Sequence, residues 1–262
     1  MITDRTPSSS SRAARLKAQL RTAQDAERSL TLARAVITSK IRHLITLVQR
    51  FATPEAARDI DPDLAVMRTM RDLAPTAQGS AELMGVEGIA AKSYFHALSR
   101  LLPDPLRFSG RSRRPPLDLF NAALGYGYAI LLGECVSALA AAGLDPNIGL
   151  LHADDNRRPS LALDLMEEFR PYVVDQALMQ ICRRGSLTPN HAQTKPTESG
   201  VFLTKAGKQA LVDGYERRML QVTGGALPQF TGSIRRHIYR QPQRLAAYVK
   251  DPQADWIGLS WR

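Results

Sequence analysis

Between Arg12 and Phe51 the apolar residues Leu30, Ala33, Ile37, Ile41, Leu44 and Val48 recur at three- and four-residue steps. That spacing gathers them on one face of an α-helix and would scatter them over both faces of a strand. Ser8 to Ser11 can cap this segment, which forms one amphipathic helix or a pair of them. Pro54 and the acidic stretch Asp59 to Asp63 break the pattern, and helical spacing resumes from Asp63 to Leu73. Gly79 precedes a further helix carrying AELMGVEGIAAKSYFHALSRLL, and Pro115 and Pro116 start the next, which reaches about Ala142. Ser160 caps the segment SLALDLMEEFRPYVVDQALMQICRR. Residues 185–200 are polar, carry two prolines and read as a mobile loop. VFLTK is a short extended piece, residues 205–221 are helical, and Pro242 kinks a last helix. With no series of alternating strands and no internal repeat, the expected fold class is all-α.

Charge narrows the partners. The 35 Lys and Arg against 25 Asp and Glu give a net charge of +10, which suits a polyanion. Arginines recur in clusters at Arg111, Arg113 and Arg114, at Arg157 and Arg158, at Arg183 and Arg184, at Arg217 and Arg218, and at Arg235 and Arg236, as phosphate contacts spread over a surface require. The apolar runs are broken by charge or glycine before the ~20 residues a bilayer span needs, and the first residues lack the apolar core of a secretion signal. A cytoplasmic protein without a membrane segment is expected. Cys135 and Cys182 lie too far apart for a zinc ribbon or a redox pair and are expected to be buried, reduced thiols.

The segment Gly149 to Asp175 concentrates groups that a packing face does not need. Leu161, Leu165 and Phe169 make an apolar helix face, and Asp164, Glu167 and Glu168 crowd negative charge beside it. Like charges so placed require a cation. It is either Arg170, in a structural ion-pair network, or a divalent metal with His152 added from the preceding loop. Oxygen donors with one imidazole suit magnesium or manganese rather than zinc. Glu87 is a second lone carboxylate, set among Gly85, Gly88, Ala90 and Ala91. It either sits in a tight setting that demands a partner or favours a helix N-terminus. Neither GYG at 125–127 nor the glycine pair at 224–225 fits a phosphate loop.

The succession MGVEGIAAKSYF, RRPPLDLFNAALGYGYAIL and GLDPNIGLLHADDNRRPSLALDLMEEFRP, closing with SWR, resembles the CRISPR-associated integrase, the adaptation nuclease of CRISPR systems. The resemblance runs from about Arg15 to Arg262. It implies the multi-helix C-terminal catalytic domain of that fold over residues 29–262, preceded at 1–28 by a tail and the start of a linker helix. It places metal ligands at Glu87, His152 and Glu167, with Asp164 as an additional acidic position. Arg114 and Asn121 become support or DNA-contacting groups, and Ser160 and Arg170 framework residues. Arg157, Arg158, Arg235 and Arg236 are further DNA-contacting positions by their charge.

The implied activity is DNA endonuclease and integrase chemistry with Mg²⁺ or Mn²⁺. A captured fragment is joined by its 3′ hydroxyl into a CRISPR array as a new spacer. Double-stranded DNA, a small adaptation partner protein and a second copy of the chain are the implied partners. Family members begin with a β-rich N-terminal domain that pairs two copies, and here it is missing, which puts self-association in question. LDLFNA stands where DPVNA is common. The alternatives are a transposon-encoded integrase relative and a non-catalytic DNA-binding subunit.

Overall fold

In a computed structural model, residues 9–151, 158–251 and 253–261 are described. The first segment is a pair of helices, α1 (Ser9–Gln24) and α2 (Ala26–Phe51), divided at Asp25, whose carboxylate accepts the Arg28 N–H and caps α2. α2 is the spine of the fold. Its apolar stripe, including Ile37, Ile41, Leu44 and Val48, is buried against α3 (Ala57–Leu73), α4 (Ser80–Arg100) and α6 (Ser160–Phe169). α3 starts before the acidic stretch rather than after it, so Pro62 lies within the helix, near its start.

The helix after the tandem prolines, α5 (Leu119–Ala141), begins later than expected. Pro115 and Pro116 lie outside it, and the Asp118 carboxylate is its cap, accepting the Asn121 N–H at 2.7 Å. At 23 residues and a mean hydropathy of 1.4, α5 is long and apolar enough to cross a bilayer by length and composition alone, although Gly125, Gly127, Gly133 and Glu134 interrupt its apolar run. Its buried side packs on α6, on α8 (Lys205–Met219) and on α9 (Ile234–Tyr248), while Gly125, Ala129, Gly133 and Ser137 are exposed. α6 opens at Ser160, but the serine does not cap it. The Pro146 carbonyl accepts the Leu161 and Ala162 N–H groups at 2.9 and 3.2 Å and so fastens the preceding turn to the helix end.

After α6 the helix widens into a π-helical turn at Arg170–Asp175 and then tightens again as α7 (Gln176–Arg183). Pro171 has no N–H to give the Glu167 carbonyl, so the α-helical ladder cannot continue through it. The π turn lies against α5 at Gly127, where a Cβ would come within 2.6 Å of a Val174 methyl.

Residues 185–200 are more ordered than a mobile loop. A short helical turn at Pro189–His191 leads into the hairpin β1 (Ala192–Lys195) and β2 (Glu198–Leu203). The Val201 N–H bonds the Pro116 carbonyl at 2.8 Å, and Gly200 makes that approach possible. Its φ is +107° and a Cβ there would lie 2.8 Å from the Pro116 oxygen. A second hairpin, β3 (Val222–Leu227) and β4 (Phe230–Ser233), had no signal in the periodicity and joins α8 to α9. α9 runs through Pro242 as one helix. The C-terminal residues then return across α2 and α6, where the Leu259 N–H donates to Glu168 Oε1 and the Ser260 N–H to the Ala226 carbonyl. Among the described residues the architecture is all-α with two small hairpins. Cys135 and Cys182 are buried, unpaired thiols.

Candidate active site

The acidic residues of α6 do not share one surface. Asp164, Glu167 and Glu168 are all buried, and each has its own task. Asp164 Oδ2 accepts the Leu150 and Leu151 N–H groups at 2.7 and 3.0 Å, which holds the chain immediately before His152 one turn from Glu167. His152 itself, with Arg157, lies outside the described residues. Glu168 faces the other way, accepting from Gln241 at 2.6 Å and from Leu259. Burial pushes its carboxyl up to about 7, against the pull of those two bonds and of Arg244. It is a fastening of α6 to α9 and to the C-terminal residues.

Glu167 turns toward α4 and α2. Lys40 Nζ lies 2.5 Å from Glu87 Oε1 and 2.5 Å from Glu167 Oε2, and Arg170 Nη1 is 3.3 Å from Glu167 Oε1. Two carboxylates from distant stretches of chain thus converge on a single point, and a cation sits between them. Among the described residues no third acidic or imidazole group completes a metal cluster. Of the two readings of the acidic helix, the ion pair of Arg170 with Glu167 is present, and a second carboxylate, Glu87, meets the same lysine. Glu87 lies inside α4, beyond its first turn, so its partner is Lys40 rather than the helix N-terminus. The small residues beside it do not mark a tight helix crossing, for a Cβ at Gly85 or Gly88 would meet nothing within 4 Å. Gly88 and Ala91 line a cavity of about 860 Å³ together with Glu87, Lys92, Arg111 and Arg113.

A second layer supports this point. Asp175, on the π turn, accepts Tyr94 and Tyr128 hydroxyls at 2.7 Å each. Burial raises its carboxyl to about 6, while the two tyrosines and then Arg170 and Arg111 favour the ionised form. Burial pulls the Arg170 guanidinium down, but Glu167, Tyr128, Asp175 and Glu87 together hold it above its ordinary value. Lys40, Glu87, Tyr94, Tyr128, Arg170 and Asp175 line one small cavity. Periodicity alone did not mark Lys40, Tyr94, Tyr128 or Asp175. Lys40 had a usable signal, a lone lysine in phase with Ile37, Ile41 and Leu44.

Arg111 and Arg113 also line a groove of about 610 Å³ with Arg114, Tyr126, Tyr128, Lys195 and Lys208. Here cations lie over aromatic faces, Lys208 over Tyr126 at 5.5 Å and Lys195 over Phe202 at 4.5 Å, a surface suited to phosphates and bases. Arg114 is exposed on it. Asn121 is fully buried, and its amide is engaged on both sides. Its Oδ1 accepts from Arg111 at 2.8 Å and from the Ser112 N–H, and its Nδ2 donates to the Gly110 carbonyl and to Asp118. Arg235 pairs with Glu134 and Glu216 at 3.1 and 2.7 Å. Arg236 and Arg158 are exposed.

Solved structures define the fold class first. The chain superposes on a structure titled casposase bound to integration product with a TM-score of 0.85 at 23% identity, covering 98% of this chain and 74% of that one. On a Cas1 protein from Thermotoga maritima the TM-score is 0.75 at 24% identity, covering 90% and 73%. A family model described as CRISPR associated protein Cas1 matches residues 3–217, and the chain belongs to that family. A CRISPR-associated endonuclease Cas1 of Thermus thermophilus is 44% identical over 228 residues, which are 86% of this chain and 68% of that protein. A Cas4/Cas1 fusion of Rhodospirillum rubrum is 36% identical over 88% of this chain and 40% of its own length. A Cas1 endonuclease of Moorella thermoacetica is 34% identical over 77% and 60%. The chain therefore spans between 40% and 68% of these curated relatives.

Proposed function

We propose that this chain is a metal-dependent DNA endonuclease and integrase of CRISPR adaptation, with Glu87, His152 and Glu167 as the metal ligands. The observation that carries this reading is the convergence of Glu87 and Glu167 on one cation at the edge of a cationic groove. Carboxylates brought together in a site this buried favour a cation between them, and hard oxygen donors with one imidazole suit magnesium or manganese. A Mg²⁺ or Mn²⁺ ion bound there would supply Lewis-acid polarisation of a phosphoryl oxygen.

The remaining parts belong to the chain. Arg111 and Arg113 line both the cavity at Glu87 and the aromatic groove, so a DNA backbone bound along the groove passes the carboxylates. Asn121 holds Arg111 in place, and Asp164 holds the chain leading to His152. A 3′ hydroxyl of the captured fragment attacks a phosphodiester at a repeat border. A new P–O bond forms as the old one to the flanking 3′ oxygen breaks, and that oxygen leaves as a hydroxyl. Replacement of the attacking hydroxyl by water makes the same site a nuclease. Contacts are to phosphate, so sequence choice comes from DNA shape or from partners. Those partners are double-stranded DNA and the small adaptation protein, Cas2 in the titles of two solved complexes of the same fold.

A transposon-encoded integrase is the second reading, favoured by the superposition on casposase. The 44% identity to a CRISPR-associated endonuclease favours the first. In a strand-transfer assay with a labelled 3′-hydroxyl duplex and Mn²⁺, Glu87→Gln and Glu167→Gln are each expected to lose on the order of 100-fold or more in rate. DNA binding and helix content should stay near wild type. Retention of strand transfer in either variant removes the site.

A further inference from the structure

Lys40 is the least expected part of the site. It projects from the buried face of α2 between Ile37 and Ile41, with 7% of its surface exposed. A lysine so placed is costly unless its charge is matched. Its two partners, Glu87 and Glu167, lie on α4 and α6, and Nζ is 2.5 Å from an oxygen of each. Arg170 lies on the other oxygen of Glu167, so each of the two carboxylates meets at least one cation.

The position of Lys40 conflicts with a resident divalent ion. An ion shared by both carboxylates must lie within about 2.1 Å of their oxygens, in the space that the Lys40 ammonium fills. The two cannot be accommodated together, and as like charges they also repel. Lysine, unlike arginine, is a compact charge on a flexible stem and can leave such a position by rotating its side chain.

We propose that Lys40 is an internal stand-in for the metal: it holds Glu87 and Glu167 together in the metal-free chain and must be displaced before a divalent ion enters. The inference rests on the metal-site reading above. It has a regulatory consequence. A displaced ammonium needs an anion, and an incoming DNA phosphate provides one, so metal binding and DNA binding reinforce each other through Lys40. By linkage the effect is reciprocal. Lys40 is thus a positioning residue in the free protein and a gate on metal loading.

The test is Mn²⁺ affinity, read from the electron paramagnetic resonance of free Mn²⁺, on the full chain with and without a short duplex. Lys40→Met is expected to bind Mn²⁺ roughly tenfold more tightly than wild type without DNA, and to gain less from added DNA. Lys40→Gln should do the same. Unchanged or weaker Mn²⁺ affinity in both overturns the proposal and leaves Lys40 as scaffold. Loss of Lys40 also leaves two carboxylates facing each other, so the variants are expected to melt earlier without metal and to recover more than wild type when Mn²⁺ is added. Variants that fail to fold and are not rescued by Mn²⁺ likewise overturn it. Glu87→Gln and Glu167→Gln in the Lys40 background separate the two ideas. If they abolish Mn²⁺ binding while Lys40→Met does not tighten it, only the gate falls. If they leave Mn²⁺ binding intact, the metal site falls and the gate with it.

Discussion

Glu168 and Glu167 are chemically identical neighbours, and their helical phase separates them by about 100°. One reaches the candidate site, and the other is sealed beneath the C-terminal residues with its carboxyl pushed up to about 7 by burial. Between its ordinary 4.5 and 7 the folded chain keeps a proton on Glu168 that the unfolded chain has lost. The stability this group contributes is therefore complete below about pH 4.5 and falls as pH rises through 7. Asp175, raised by burial from 3.8 to about 6, has the same sign. His43, lowered by burial from 6.5 to about 4, has the opposite one, contributing stability above 6.5 that is lost as pH falls through 4. Glu168→Gln leaves Asp175 and His43 to offset each other. Its melting temperature is expected to vary less than that of wild type between pH 4.5 and 7, and an equally steep fall in the variant would refute the assignment.

Helices fix the site through two close fastenings. Gly127 lets α5 lie against the π turn, where a Cβ would meet Val174 at 2.6 Å. Gly127→Ala gains about 1 kcal/mol in helix propensity but forces overpacking that costs about 1–3 kcal/mol. A net loss of stability is expected, and Val174→Ala in the same chain should recover part of it. A double-mutant cycle by urea unfolding measures that coupling, and additivity would show that the two elements do not press on each other. Asp164 is the other fastening. Asp164→Ala strands the Leu150 and Leu151 N–H groups, at about 1–3 kcal/mol for each that stays buried. It should therefore lower both the melting temperature and strand transfer, whereas Glu167→Gln should lower strand transfer far more than stability. Equal melting temperatures for Asp164→Ala and wild type would show that Asp164 does not hold the chain before His152.

For the whole molecule the net charge of +10 suits a polyanionic partner. Arg113, Arg114, Lys195 and Lys208 line the aromatic groove, and Lys92 lines the cavity at Glu87. Affinity for duplex DNA should fall steeply with salt, at roughly −0.9 in log–log slope per phosphate neutralised. The double replacement of Arg113 and Arg114 by alanine is expected to reduce that slope by roughly 0.9 for each arginine that contacts a phosphate. Fluorescence anisotropy over a salt series measures it. An unchanged slope would place the DNA on another face.

Helix content and the phase of the α2 stripe were legible in the residues, because burying one apolar face imposes the three- and four-residue spacing wherever the fold is packed. The β3–β4 hairpin was not, since strands this short carry too few alternating residues to set a period. At the site the sequence could supply an acidic helix, a lone Glu87 and a histidine, together with the family motifs that join them. It could not say that Asp164 and Glu168 would turn away to fasten a loop and a C-terminal strap. Nor could it show that Asn121 would be buried as support, or that a lysine of the α2 core stripe would reach both carboxylates. Spacing along one helix dictates which side chains share its face. Which charges meet across helices depends on how α2, α4 and α6 cross, and that is set by the packing of the whole core, to which Gly127 and the π turn at Pro171 contribute.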